Sequence, residues 1–287
     1  MSERFANKTA LITGAGSGIG AATAHRLARE GASVAIVDID AAAADRVMQQ
    51  IRDAGGEAIS LVADVTQSSQ VEAAFQETLR RFGRLDVMLA NAGVTPCLFP
   101  VGDCPEESWR HVLDVNLTGV YLCVKEALRP MRRQKSGVIL ATSSVAAHTP
   151  MPAGIEYSVS KIGVVMLMRH VAVVYGGEGI RALAICPGWV DTPFLEPIWD
   201  AVGGWTGRAA LRASAPLGRM ATPEDVAASI AFLASDEASF VSGIAYTIDG
   251  ATTAGTMPRQ SPIIRGYLSM RAGVRRLIGK STPRIRM

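Results

Sequence analysis

Seven short runs rich in Val, Ile, Leu and Ala recur along the 287-residue chain, and the longer stretches between them constrain its fold most. The runs fall at residues 8–13, 33–38, 57–64, 84–91, 137–144, 179–188 and 244–250. Helix-like stretches follow the first three, from about Gly18 to Glu30, from about Ala41 to Ala54, and up to Phe82, with a long one after Glu156. The runs are continuously apolar instead of alternating with period two, so each strand needs cover on both faces. A parallel sheet with helices on each side meets that need, because each crossover helix returns the chain over one face. The expected fold is therefore α/β: a doubly wound parallel sheet of about seven strands with helices on both faces. No Pro/Gly-rich linker or internal repeat divides the chain, which predicts one domain over residues 1–255 and a basic extension over 256–287.

With 48% hydrophobic and only 19% charged residues, most of the chain is expected to fold around a core. The first strand-like run begins within ten residues of Met1, leaving no room for a secretory leader. No run reaches the roughly 18 uninterrupted apolar residues of a membrane span, and the most apolar candidate, Ile162 to Tyr175, contains Arg169 and His170. Cys97, Cys104, Cys123 and Cys186 form no C-x-x-C pair and have no metal-like His spacing, so reduced thiols in a cytoplasmic protein are expected. Beyond residue 250 there are eight Lys and Arg and no Asp or Glu, although the whole chain is only +3. Such a tail is read as a solvated extension, or as a contact for a neighbouring subunit, a phosphate or an anionic membrane. Residues 270–278 could form a short basic amphipathic helix. Nucleic acid is not an expected partner, and membrane contact is the less favoured reading.

The first run ends in Thr13, Gly14, Ala15, Gly16, Ser17, Gly18, Ile19 and Gly20, directly before a helix. Glycine serves where backbone turns sharply, approaches a pyrophosphate, or packs helix on strand. The helix N-terminus then presents free N–H groups and partial positive charge to phosphates. The spacing G-x-x-x-G-x-G departs from the general dinucleotide fingerprint, which has a glycine where Ile19 stands. Between strand and helix at the head of an alternating chain, it points to a Rossmann-type nucleotide site using Gly14, Ser17, Gly18 and Ile19. Asp38 ends the second run, 18 residues beyond Gly20. A carboxylate there accepts hydrogen bonds from ribose hydroxyls and repels a 2′-phosphate, which selects NAD over NADP. The competing role for Asp38, capping the next helix, is one that Asp40 could fill equally well.

Tyr157 and Lys161 are four residues apart and share a face of a helix. Alcohol oxidation needs a base near the working pH, whereas an unperturbed tyrosine titrates near 10. A nearby ammonium and a positive nicotinamide ring both favour phenolate. Lowering the phenol by about three units requires roughly 4 kcal/mol of differential stabilisation.

Taken in order, Thr13-Gly14-x-x-x-Gly18-Ile19-Gly20, Asn91-Ala92-Gly93, Asn116, Ser144, Tyr157-x-x-x-Lys161 and Pro187-Gly188 resemble the short-chain dehydrogenase/reductase family over roughly residues 5–255. The resemblance implies a catalytic set of Asn116, Ser144, Tyr157 and Lys161. It also implies that Asp64 and Val65 sit at the adenine, Asn91 and Gly93 beside the cofactor, and Val190 and Thr192 at the nicotinamide carboxamide. In that scheme Ser144 holds the substrate oxygen and Tyr157 moves its proton. Lys161 lowers the phenol and grips the nicotinamide ribose, while Asn116 positions a water leading to solvent. Ser143 is the rival to Ser144, which is preferred for its spacing of thirteen residues from Tyr157. No zinc is expected to polarise the oxygen.

An NAD-dependent oxidoreductase for a hydrophobic or cyclic secondary alcohol or ketone follows, with a homotetramer implied by the family. Substrate contacts are expected in residues 192–217, with Phe194, Leu195, Ile198, Trp199 and Trp205. Others are expected in 94–100, with Leu98 and Phe99, and at His148, Met151 and Ile155. The alternatives are a 3-oxoacyl-type reductase of the same family and a non-catalytic NAD-binding sensor. One departure is Ala251, where the family has a second glycine after Gly250.

Overall fold

The computed structural model describes residues 3–151, 153–196, 198 and 205–255. In chain order its main elements are β1 (Thr9–Thr13), α1 (Gly18–Arg29), β2 (Ser33–Asp38), α2 (Ala41–Asp53), β3 (Glu57–Val62), α3 (Ser68–Phe82) and β4 (Val87–Ala90). There follow α4 (Glu106–Leu113), α5 (Gly119–Gln134), β5 (Gly137–Thr142), α6 (Ile155–Tyr175), β6 (Ile180–Pro187), α7 (Trp205–Ser214), α8 (Pro223–Ala234) and β7 (Ala245–Ile248). All seven strands are parallel, in the order β3-β2-β1-β4-β5-β6-β7. The predicted strands are all present, mostly shorter at their carboxyl ends. The basic extension lies outside the described residues, as does the amphipathic helix expected within it.

Successive residues of each strand enter opposite cores, which is why the runs are apolar throughout. Ile12, Ile36, Leu89 and Leu140 join Leu27 of α1, Val47 of α2 and Ile230 of α8. Leu11, Val37, Met88 and Ile139 join Phe75 of α3, Val124 of α5 and Met168 of α6. Strand order reverses between β1 and β4, and the two outward windings leave a crevice beyond their carboxyl ends.

Ile155–Glu178 is long and apolar enough, by length and composition, to cross a membrane despite Arg169 and His170. Its Val164, Val165, Met168 and Val171 instead pack fully buried in the second core.

Helix α8 starts with a capping box: Asp225 N–H donates to Thr222 Oγ1 at 3.3 Å and Thr222 N–H donates to Asp225 Oδ2 at 2.7 Å. Hydrogen bonding to Arg219 holds the Asp225 carboxyl down at about 2. A carboxyl lowered in the folded state stabilises above its unfolded value, and that stabilisation fades as pH falls toward the folded one. Asp225→Asn should lower Tm at pH 7 by about 2–4 °C, for a cap worth about 1 kcal/mol. In parallel melts the gap from wild type should narrow as pH drops from about 5 toward 3; a gap independent of pH contradicts the assignment.

Candidate active site

A cavity of about 1070 Å³ opens beyond the carboxyl ends of the central strands. Gly14, Ser17, Gly18, Ile19, Asp38, Asp64, Val65, Asn91, Gly93, Ser144, Tyr157, Lys161, Val190 and Thr192 all line it. Of the catalytic and cofactor residues expected from sequence, Asn116 alone does not.

The glycine turn forms the cavity's floor. Gly14 and Gly18 have φ of +63° and +52°, values that side chains disfavour. A Cβ at Gly14 would lie 2.8 Å from Ala92 Cα. Ser17 caps α1 with backbone only, making no side-chain cap bond, and the helix has no acid in its first turn. Its N-terminal amides therefore face the cavity with positive partial charge, a fit for a pyrophosphate. Asp40 takes the capping role on α2, accepting from Ala43 N–H at 3.0 Å. Asp38 is anchored instead by Gly16 N–H at 2.8 Å on Oδ2 and Asp40 N–H at 3.0 Å on Oδ1. Among the described residues lining the cavity, Lys161 is the only Lys or Arg, and none stands at the Asp38 end. Asp64 accepts from Thr66 N–H and Oγ1 at 2.9 and 2.8 Å, fixing the loop after β3.

Two serines follow β5, and their contacts separate them. Ser143 is buried, and its Oγ donates to the Lys161 carbonyl at 2.7 Å, tying β5 to the helix backbone. Ser144 lines the cavity, accepts from Ala146 N–H at 3.1 Å, and faces the Tyr157 phenol, whose pKa it lowers. Lys161 is buried, with Nζ donating to the Thr142 carbonyl at 3.0 Å and lying 5.3 Å from the Tyr157 ring centroid.

The titration behaviour differs from the sequence argument. Burial pushes the Tyr157 phenol up to about 12, outweighing the downward pull of Ser144, and burial lowers Lys161 to about 8. The ammonium faces the ring and the Thr142 carbonyl, so in the protein alone it does not offset the phenol's desolvation. The resting tyrosine is consequently a neutral proton donor.

The two asparagines serve the backbone. Asn91 Nδ2 donates to the Thr13 and Gly14 carbonyls at 3.2 and 3.1 Å, and its Oδ1 accepts from Thr142 Oγ1 at 3.0 Å. It thereby joins β1, β4 and β5 under the glycine turn. Asn116 is fully buried in a π-helical turn, Asp114–Thr118, between α4 and α5. Both its side-chain atoms grip Val94, Oδ1 accepting from N–H at 2.8 Å and Nδ2 donating to C=O at 3.0 Å. A Cβ at Gly93 would lie 3.1 Å from Asn116 Oδ1 and 3.6 Å from Lys161 Nζ, so glycine lets the chain pass between them.

The outer half of the cavity has apolar walls: Leu98, Met151, Trp189, Phe194, Leu195 and Ile198. Phe194 meets the Tyr157 ring with centroids 6.3 Å apart. His148 and Ile155 do not line it, and His148 Nε2 lies 3.7 Å from Cys186 Sγ. Phe99 is half exposed outside it; Trp199 and the Trp205 side chain lie outside the described residues. The sequence reading missed His111, Val115 and Trp189 as wall residues, whereas Leu211 falls within the expected 192–217 segment; it also missed Thr252 and Thr253. The last two follow Ala251, whose φ of +68° explains the family's preference for glycine there. Asp249 holds this turn by accepting from Ala251 and Thr253 N–H at 2.9 and 2.7 Å.

Known proteins resemble the chain across this whole unit. Residues 14–253 match a family described as "Enoyl-(Acyl carrier protein) reductase". A cis-4-hydroxycyclohexanecarboxylate dehydrogenase of Sinomonas cyclohexanicum is 44% identical over 88% of this chain and 100% of its own. A cyclohexanol dehydrogenase of an Acinetobacter species is 36% identical over 88% and 98%. The crystal structure of a levodione reductase superposes with a TM-score of 0.85 at 36% identity, covering 88% of this chain and 100% of that one. By these matches, and with a seven-stranded sheet and a nucleotide-type glycine turn of the expected kind, the chain belongs to the short-chain dehydrogenase/reductase family.

Proposed function

We propose that the protein interconverts a hydrophobic cyclic secondary alcohol and its ketone, with NAD as its nicotinamide cofactor. The observation carrying this reading is the meeting of Ser144, Tyr157 and Lys161 beside apolar walls, in the cavity whose far end holds Asp38. The three relatives all take their names from six-membered-ring alcohols or diketones, which supports a cyclic substrate.

In the proposed chemistry Ser144 Oγ orients the substrate oxygen and Tyr157 exchanges its proton. The neutral phenol suits ketone reduction, where it donates to the developing alkoxide. For oxidation, added positive charge has to lower the phenol first. Lys161 spends one of its three donors on Thr142, leaving two for a ribose and for passing a proton outward. Asn116 acts by fixing Val94 and the turn around Gly93. Gly14, Ser17, Gly18 and Ile19 would hold the pyrophosphate, Asp38 the adenosine ribose, Asp64 and Val65 the adenine, and Val190 and Thr192 the carboxamide. The nicotinamide, when bound, supplies or receives the hydride.

With no Lys or Arg among the described residues lining its end of the cavity, Asp38 favours NAD, since a 2′-phosphate would meet its negative charge. Wild-type kcat/KM should favour NAD over NADP by about 10–100-fold, the range of a lost charged hydrogen bond. Asp38→Asn keeps an acceptor for Gly16 N–H and should shrink that ratio at least about tenfold. An NADP preference in wild type removes the ribose assignment. Cyclohexanols and cyclohexanones are the substrates to assay beside linear 3-oxoacyl thioesters. Turnover confined to the linear thioesters would favour the 3-oxoacyl reductase, and tight NAD binding without any turnover the sensor.

Assembly fits the same reading. Ile162, Met166, Val173 and Val174 of α6 are 41%, 59%, 84% and 50% exposed, an apolar stripe suited to a subunit contact in a homotetramer. The four unpaired thiols fit the reducing cytoplasm.

A further inference from the structure

Outside the catalytic group, three ligand-type side chains converge where the loop after β4 packs on the first turn of α6. Cys97 Sγ and Cys104 Sγ are 3.5 Å apart, and Cys104 Sγ is 3.6 Å from Glu156 Oε2. One ligand atom from each of the three lies within 4.8 Å of the others. Glu156 is completely buried, and its Oε1 accepts from Cys97 N–H at 2.6 Å. Among the described residues it has no ion pair. A buried carboxylate facing only a backbone amide and a thiol lacks a full compensating charge, which is costly.

We propose that Cys97, Cys104 and Glu156 form a binding site for a thiophilic divalent cation, zinc by preference. Tetrahedral zinc with Zn–S of about 2.3 Å and Zn–O of about 2.0 Å has S···S edges near 3.8 Å and S···O edges near 3.5 Å. The observed 3.5 and 3.6 Å need only small adjustments to meet those edges. Two thiolates and one carboxylate suit zinc better than magnesium or calcium, which take oxygen ligands. Both cysteines are half-buried, so a water can complete the fourth position.

The site would brace the substrate pocket without touching the reacting oxygen. Pro96 and Leu98, on either side of Cys97, line the cavity, and Glu156 immediately precedes Tyr157. Phe99 C=O accepts from Gly154 N–H at 3.2 Å, so the loop already rests on the start of α6. The cation would add a coordination strap across a sequence gap of 52 residues.

The test is metal binding by the full chain, reduced and then incubated with zinc and gel-filtered. Elemental analysis should find about one zinc per chain. Cadmium in place of zinc should produce an ultraviolet thiolate-to-metal charge-transfer band. Cys97→Ser with Cys104→Ser should abolish both signals while circular dichroism stays native, and Glu156→Gln should weaken affinity at least about tenfold. Wild-type protein that takes up no zinc and gives no cadmium band overturns the proposal without relying on a variant. So does zinc retained after both cysteines are replaced.

Discussion

Tyr157→Phe should lower kcat by about 10²–10⁴-fold while nicotinamide binding changes little. The ring keeps its buried seat and its contact with Phe194, so the loss is confined to the hydroxyl. Ser144 retains the Ala146 N–H as a partner, so no buried serine is orphaned and folding should be nearly unaffected. What disappears is the proton exchanged with the substrate oxygen, an interaction made at the transition state, so kcat and kcat/KM should fall together. Ser144→Ala is the informative companion. It should also depress kcat, whereas Ser143→Ala should chiefly loosen the join between β5 and the Lys161 backbone and show in stability. Steady-state kinetics alongside cofactor titration by fluorescence decides the matter. Turnover within a few-fold of wild type in the phenylalanine variant would sink the proposed mechanism.

Gly20→Ala should damage the protein through packing alone. A methyl group there would sit 2.2 Å from the Gly14 carbonyl oxygen, 2.8 Å from Asn91 Nδ2 and 2.9 Å from Ala15 Cα. None of these can yield cheaply. Two are backbone, and the amide nitrogen is held by the Thr13 and Gly14 carbonyls. Helix α1 would have to lift from β1, at a cost of about 1–3 kcal/mol or more. The expected drop in Tm is about 3–10 °C at matched protein concentration. Because the same shift moves the α1 amides, nicotinamide affinity should weaken by about tenfold or more. Gly102→Ala is the control: a Cβ there meets nothing within 4 Å, so both properties should stay within about 0.5 kcal/mol of wild type. A normal melt and normal binding for Gly20→Ala would mean that the turn tolerates a side chain, contrary to the packing observed.

What the amino-acid order determined by itself was everything carried by local spacing. The seven apolar runs specify buried parallel strands, because a strand covered on both faces has no polar side to show. The glycines of 14–20 announce a tight strand-to-helix turn, Asp38 marks the end of the next strand, and four-residue spacing puts Tyr157 and Lys161 on one helix face. Tertiary structure decided the questions that spacing leaves open. Ser143 and Ser144 are chemically alike and adjacent, and only the packing of α6 on β5 turns one toward the helix backbone and the other toward the phenol. Asn116 clamps Val94 from 22 residues away, and Glu156 meets a thiol 52 residues distant, at separations where no local pattern signals contact. The titration of Tyr157 belongs to the same class. Its neighbour in sequence is an ammonium, but depth of burial governs its proton, and burial is a property of the assembled fold.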